Sequence, residues 1–357
     1  MPVPREILIL GASYGSLLAT KLLLAGQAVT LVCFSQEADL INGKGTLVRI
    51  PLKLHMDSIE IDSRRLPGKL DACTPDAADP GRYDLVCLAM HEPQYRSAEV
   101  WHLMSRIAAS GKPVMSIMNM PPLPFLARIP ALDIDALEFC YADARVWDGF
   151  TQAAFTLASS DPQAFRAPDG PPNVLQVTLA TNFKVARFED SAHTAMLLEL
   201  ASAIEAARFD LGSSSEVPVK LKVHDSVFVP LAKWSMLLTG NYRCIEAHGI
   251  RSIREAVHSD LAASRDIYDW VGSVLQAIGA SDTDIVPFDN YADAALSLTA
   301  PSSIARALAN GATEVERLDL LVQSIAASKG MRNQSVDATA ELVDFWLLRR
   351  REAARVV

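Results

Sequence analysis

Residues 6–10, EILIL, form a run with no polar interruption, as a strand covered on both faces requires. A glycine-bearing turn follows, then a stretch over 15–26 that carries Leu17, Leu18, Leu22 and Leu24 and stops at Gly26, which predicts a helix with a glycine end. AVTLVCF (28–34) predicts a second buried strand. Residues 46–62, TLVRIPLKLHMDSIEID, alternate and predict exposed antiparallel strands. DLVCLAM (84–90) and PVMSIMN (113–119) predict two more buried strands with a helix near 93–109 between them, a rhythm that implies a parallel sheet with right-handed crossovers. LEFCYADARVW (137–147) and NVLQVTLATNFKVARF (173–188) predict strands extending that sheet, and 191–208 an Ala/Leu-rich helix. The polar stretch GSSSEVP (212–218) marks a domain boundary. Beyond it the pattern is helical over about 222–244, 250–279, 291–309, 312–329 and 335–356. The fold class is therefore α/β: a Rossmann-like parallel-sheet domain over 1–215, then an all-helical domain over 216–357.

Composition narrows the function classes. A length of 357 residues suits two domains, half of the chain is apolar, and a net charge of −9 disfavours nucleic acid as a partner. No apolar run reaches the ~18 residues of a membrane span, so no membrane partner is expected. The chain runs straight into a strand with no signal-peptide pattern, and its five cysteines are scattered without a C-x-x-C pair. These features predict a reducing, cytoplasmic location, buried thiols and no metal site.

The turn is the first candidate for chemistry. Gly11, Ala12, Ser13, Tyr14, Gly15 and Ser16 stand where a dinucleotide-binding fold presents amides to a pyrophosphate, yet the spacing is G-x-x-x-G rather than G-x-G-x-x-G. Gly11 suits the tight exit from the strand, Gly15 close helix packing, and Ser13 and Ser16 offer hydroxyl donors. The alternative is a tight strand-to-helix turn with no ligand. The second strand ends in Cys33-Phe34-Ser35-Gln36, with no carboxylate before Glu37. Lack of an acid there favours NADP(H) over NAD(H); Ser35 and Gln36 are donors for a 2′-phosphate, though no Arg stands locally to clamp it.

Further segments line up with one family. GASYGSLLA, DLVCLAMHEPQY, VMSIMNMPPLPFL, KWSMLLTGN and SSIARALANGATEVERLDLLVQSIAASKGM give a chain that resembles the ketopantoate (2-dehydropantoate 2-) reductases over almost its whole length. The resemblance implies NADPH-linked reduction of a 2-oxo acid and a helical domain serving substrate binding and dimerisation. It implies a substrate contact for Ser303, an orienting role for Glu314, and for Asn119 a place between cofactor and substrate. The family's W-x-K-L-x-x-N segment is altered: Met236 falls on the lysine and Gly240 on the asparagine. Lys233 and Asn241 stand close by, and on a helix Lys233, Leu237 and Asn241 share one face. Lys233 therefore either reaches the site from one turn earlier or is a solvated surface lysine. His91 replaces the basic residue that usually ends the third parallel strand. Only Asn119 is kept from the Asn-Gly-x-Gly turn, with Pro121 and Pro122 in flexible positions.

Reducing a 2-oxo acid needs hydride held at the carbonyl carbon, a donor for the growing charge on oxygen, and a grip on the carboxylate. Lys233, if it points inward, and His91 are the candidate donors. Asn241 and Ser303 are candidate substrate contacts. Each has a plainer reading: His91 as a strand-end histidine, Asn119 as a turn residue, Glu314 as a helix-start carboxylate favoured by the dipole. His224-Asp225, at the start of a predicted helix, is read as a cap-region pair; His248 and His258 lack partners at metal-ligand spacing. Arg349, Arg350 and Arg351 suit a helix end. Two functions follow: a reductase of a small carbonyl compound, or a non-catalytic nucleotide-binding homologue that lost the lysine donor. The helical domain leaves room for a homodimer, though no stripe identifies the interface.

Overall fold

Strand β1 (Glu6–Leu10) is the centre of the sheet because Ile7, Leu8, Ile9 and Leu10 are all fully buried, so both of its faces need cover. In this computed structural model, which describes residues 4–51, 58–167, 169–210 and 214–355, the chain forms two compact units. The first comprises Met1–Met90, Gln94–Arg128 and Arg145–Val227; the second comprises His91–Pro93, Ile129–Ala144 and Phe228–Val357.

In the first unit helix α1 (Gly15–Leu24) returns the chain to β2 (Ala28–Val32), which pairs parallel with β1 in the register Ile9 to Leu31. Helix α2 (Ser35–Lys44) then leads to the antiparallel pair β3 (Leu47–Pro51) and β4 (Ser58–Asp62), as the alternation predicts; residues 52–57 lie outside the described residues. Strands β5 (Lys69–Cys73), β6 (Leu85–Leu88), β7 (Val114–Ser116) and β8 (Phe155–Leu157) complete an all-parallel sheet of order β5-β2-β1-β6-β7-β8. Helix α3 (Ala98–Ser110) makes the β6–β7 crossover, and α4 (Leu123–Leu126) follows β7. The strand order reverses between β1 and β6, the place where open parallel sheets receive ligands at their carboxyl ends.

Several expected strands differ. Residues 137–147 form two 3-10 turns, Asp135–Cys140 and Ala144–Trp147, because their apolar anchors Leu137 and Cys140 are three apart, the period of a 3-10 turn rather than a strand. The 173–188 stretch does not extend the parallel sheet. Its first part, β10 (Val174–Leu179), pairs with β3 and with β9 (Gln163–Phe165) in a separate sheet of order β4-β3-β10-β9. Its second part, β11 (Phe183–Ala186), pairs parallel with the later β14 (Leu221–His224). Helix α5 (Ser191–Ala206) opens on Asp190, whose carboxylate accepts the His193 N–H. A two-residue ladder joins β12 (Phe209–Asp210) and β13 (Ser214–Ser215); residues 211–213 lie outside the described residues, and with them positions 212 and 213 of the expected boundary.

The second unit is helical but more divided than the pattern predicts. The first expected helix, 222–244, begins instead as β14 in the first unit, and Pro230 then limits the chain to a 3-10 turn before the short α6 (Lys233–Met236). His224 is thus a strand residue rather than a helix start. The 250–279 stretch is α7 (Ile253–His258) and α8 (Leu261–Ala277), each opened by its own side-chain cap, Ser252 and Asp260. The 291–309 stretch is α9 (Phe288–Ala295) and α10 (Ser303–Ala309), interrupted by Pro301 and capped by Ser302. Helix α11 (Leu318–Ser328) starts later than expected, and α12 (Gln334–Arg355) closes the chain. No helix among the described residues is long and apolar enough to cross a membrane.

Candidate functional site

The turn after β1 has two places with no room for a side chain. Gly11 leaves the strand at φ +100°, and a Cβ there would stand 2.6 Å from Met90 Cγ and 2.9 Å from the Ala89 carbonyl oxygen. A Cβ on Gly15 would stand 2.7 Å from Ile9 Cγ2, so α1 starts directly against β1. The Gly11 N–H donates to Val32 O (3.0 Å) and the Ser16 N–H to Ser13 O (3.2 Å). Between them the amides of Ala12, Ser13 and Tyr14 have no hydrogen-bond partner among the described residues, and no acidic residue sits in the first turn of α1. Consecutive unsatisfied amides at the positive end of a helix are the arrangement that receives a phosphate.

The side chains of this turn face other duties. Ser16 is buried and its hydroxyl donates to the Ala12 carbonyl, so the expected hydroxyl donor is already engaged within the helix. Tyr14 donates to Pro162 O (2.7 Å) and meets Phe183 edge to face; burial, with the nearby Asp161 charge, pushes its phenol well above the usual range. Ser35 is the exposed first residue of α2. Glu37, two positions on, pairs with Arg166, a residue 129 positions away in the chain. An arginine therefore does stand beside the second strand's end, but it arrives from just after β9 rather than from the local sequence. Asn119 lies beyond β7, and its Oδ1 accepts the Ser160 hydroxyl (2.7 Å).

Farther along α1, Lys21 is almost wholly buried. Its Nζ donates to Val217 O (2.9 Å) and Pro218 O (3.0 Å). Burial, reinforced by the nearby Lys220 charge, lowers its pKa to about 7. Val219, which follows these two carbonyls, adopts φ 69°, the one left-handed residue other than glycine among the described residues.

In the second unit, Lys233 is only 8% exposed, which removes the reading of a solvated surface lysine. It opens α6, and the chain then widens into a π-turn over Leu237–Asn241. Side chains hold this turn: Tyr291 donates to Met236 O (3.0 Å), Cys244 to Gly240 O (3.4 Å) and Ser302 to Asn241 O (2.6 Å). A Cβ on Gly240 would lie 2.0 Å from the Tyr291 hydroxyl, so the close approach needs glycine. Ser302 also accepts the Ala305 N–H, which makes it the cap of α10 and leaves its half-buried neighbour Ser303 as the first residue of that helix. Glu314 is half-buried in the connection before α11, which begins only at Leu318, so its expected place at a helix start does not hold.

A second glutamate, to which no local pattern points, makes the close contact. Glu316 is 7% exposed; its Oε2 lies 3.3 Å from His91 Nδ1 and its Oε1 accepts the Glu92 N–H (3.3 Å). The Glu316 charge raises the His91 pKa against the opposing effects of partial desolvation by the surrounding protein and of Arg306. Tyr242 fixes the backbone behind the pair: its hydroxyl donates to Glu316 O (2.6 Å) and accepts the Leu318 N–H (2.9 Å). Asp319, fully buried, is held by Arg317 (3.0 Å), which also pairs with Asp344. The Glu92 carboxylate accepts the Ala142 N–H (3.1 Å).

Comparison with known proteins places this architecture. No protein-family model and no curated relative matches the chain. Solved structures do. A ketopantoate reductase from Ralstonia eutropha JMP134 aligns with a TM-score of 0.63 at 16% identity, covering 97% of this chain and 99% of that one. D-mandelate dehydrogenase in a ternary structure with NADH and anilino(oxo)acetate aligns with a TM-score of 0.64 at 13% identity, covering 97% and 99%. A dimeric ketopantoate reductase from Staphylococcus aureus aligns with a TM-score of 0.58 at 10% identity, again covering 97% and 99%. The chain has the ketopantoate-reductase fold.

Proposed function

We propose that the protein is an NAD(P)-dependent oxidoreductase, with NADPH as its working cofactor, that reduces a 2-oxo acid or a related small carbonyl compound. The observation that carries this reading is the turn after β1, where three amides with no partner among the described residues meet a helix N-terminus and a Cβ at Gly11 or Gly15 would collide with its surroundings. These features fit the pyrophosphate of a dinucleotide, whose nicotinamide would supply a hydride. Arg166 supports NADPH: it stands at the start of α2 with Glu37 already engaged, so a 2′-phosphate meets a guanidinium rather than an unpaired acid. Asn119 is assigned to the cofactor side, and Asn241 and Ser303 to substrate.

Lys233 and His91 are the groups assigned to acid–base work, and Glu314 to orienting the reacting groups. The burial of Lys233 suits an ammonium that steadies charge on a substrate oxygen away from bulk water. The fold is shared with a D-mandelate dehydrogenase as well as with ketopantoate reductases, which supports a substrate class wider than ketopantoate alone. A homodimer in the reducing cytoplasm is the expected working form.

Thermal unfolding with NADPH, NADP and NADH tests the cofactor. A ligand at about 100 times its Kd adds about 2.7 kcal/mol to the folded state. A rise with NADPH that exceeds the rise with NADH, followed by NADPH oxidation in a panel of 2-oxo acids and ketones, is expected. No rise with any dinucleotide refutes the reading. Met236, two positions after Trp234, favours a second reading, a nucleotide-binding homologue without catalysis; stabilisation by NADPH without turnover across the panel selects it.

A further inference from the structure

We propose that His91 is the proton donor of the reaction and that Glu316, rather than Glu314, is the positioning residue that holds its ring and its charge. This rests on the reductase reading above and names the donor within it. The geometry has three parts. Glu316 is buried, and its two carboxylate oxygens are divided between His91 Nδ1 at 3.3 Å and the Glu92 N–H at 3.3 Å, so the carboxylate is fixed from both sides. Its backbone is fixed as well, through the Tyr242 hydroxyl that ties Glu316 O to the Leu318 N–H. His91 follows directly on Met90 in the chain, three residues beyond the end of β6. A carboxylate at Nδ1 sets the tautomer and assigns proton exchange to Nε2.

The step balances. The carbonyl carbon gains the hydride supplied by the reduced nicotinamide, the carbonyl oxygen gains the proton from His91 Nε2, and the product is the alcohol with an oxidised dinucleotide. His91 is left neutral and takes a proton back from water, to which its side chain is 55% exposed. Among the charged groups acting on the ring are Glu316, which favours the protonated form, and Arg306, which opposes it; the Glu92 carboxylate accepts the Ala142 N–H.

The test pairs a spectroscopic readout with kinetics. In the full-length protein, NMR titration should give His91 a pKa above that of an ordinary histidine, and Glu316→Gln should bring it down. In kinetics, the alkaline limb of kcat should move to lower pH in Glu316→Gln; above the limb, the rate falls about tenfold for every pH unit the limb moves. His91→Gln should lower kcat by ~10²-fold or more while the NADPH Kd holds. Glu316→Asp should recover part of the limb. An unmoved His91 titration in Glu316→Gln, or full kcat in His91→Gln, overturns the proposal and leaves the reductase reading standing. If wild-type protein neither binds nor oxidises NADPH, the reading fails, and the proposal falls with it.

Discussion

Gly11 gives the sharpest test of the phosphate turn. In Gly11→Ala the new Cβ meets Met90 Cγ at 2.6 Å and the Ala89 carbonyl oxygen at 2.9 Å, and the backbone must hold φ +100° with a side chain attached. The backbone cost is about 1–2 kcal/mol. Met90 can swing its flexible end aside, but Ala89 O belongs to the main chain beyond β6 and can move only with the strand end, an overpacking cost of about 1–3 kcal/mol. The sum, about 2–5 kcal/mol of stability, is large against ordinary surface changes. Gly43→Ala is the control: it lies in α2, nothing stands within 4 Å of its Cβ, and a helical alanine should be neutral or stabilise by up to about 1 kcal/mol. Urea unfolding of both variants, repeated with saturating NADPH, measures the two effects together. Gly11→Ala should lose stability and most of the NADPH-induced gain, because relief of the clash displaces the three amides. A Gly11→Ala protein with wild-type stability and an undiminished NADPH response refutes the account of the turn.

Lys21 makes stability depend on pH. Its folded pKa, about 7, lies below the 10.5 of an ordinary lysine, so the unfolded chain binds more protons between those values and stability rises with pH across that window, by at most ~1.4 kcal/mol per pH unit. Lys21→Met should flatten this rise in denaturant titrations from pH 7 to 10; an unchanged slope refutes the assignment. Arg166→Ala should raise the NADPH Kd by ~10-fold or more, the loss of a charge-assisted bond, while NADH stays within about twofold. Equal weakening of both dinucleotides would remove Arg166 from cofactor selection. Tyr291→Phe, which takes a donor from Met236 O, should destabilise the second unit by ~1–3 kcal/mol in calorimetry; no loss would show that the π-turn does not need this support.

How much of this was legible depended on the range over which each feature is decided. EILIL and AVTLVCF announced β1 and β2 because burial on both faces leaves no polar position to misread, and the glycines announced the turn because only they fit it. The helical boundaries blurred where one proline or cap outweighs periodicity, as at Pro230, Asp260 and Ser302. Leu137, Cys140 and Trp147 looked like strand anchors because composition does not distinguish a repeat of two from a repeat of three in so short a run. The Arg166–Glu37 pair joins residues 129 positions apart, beyond any local signal. Glu316 was hidden by its neighbour Glu314: both occur in Thr-Glu-Val-Glu-Arg, and only the fold decides which carboxylate His91 meets.

The π-turn at Leu237–Asn241 carries one residue more than an α-helical turn of the same span. Counting forward from Trp234 therefore goes out of step here: the asparagine expected at position 240 occurs at 241. Excising a single residue between these points would let the helix tighten to its usual pitch and rotate everything downstream by about 100°. Tyr242 would swing away from the main chain it braces beneath Glu316, so a deletion too small to alter any loop would strip the histidine's partner of its anchorage.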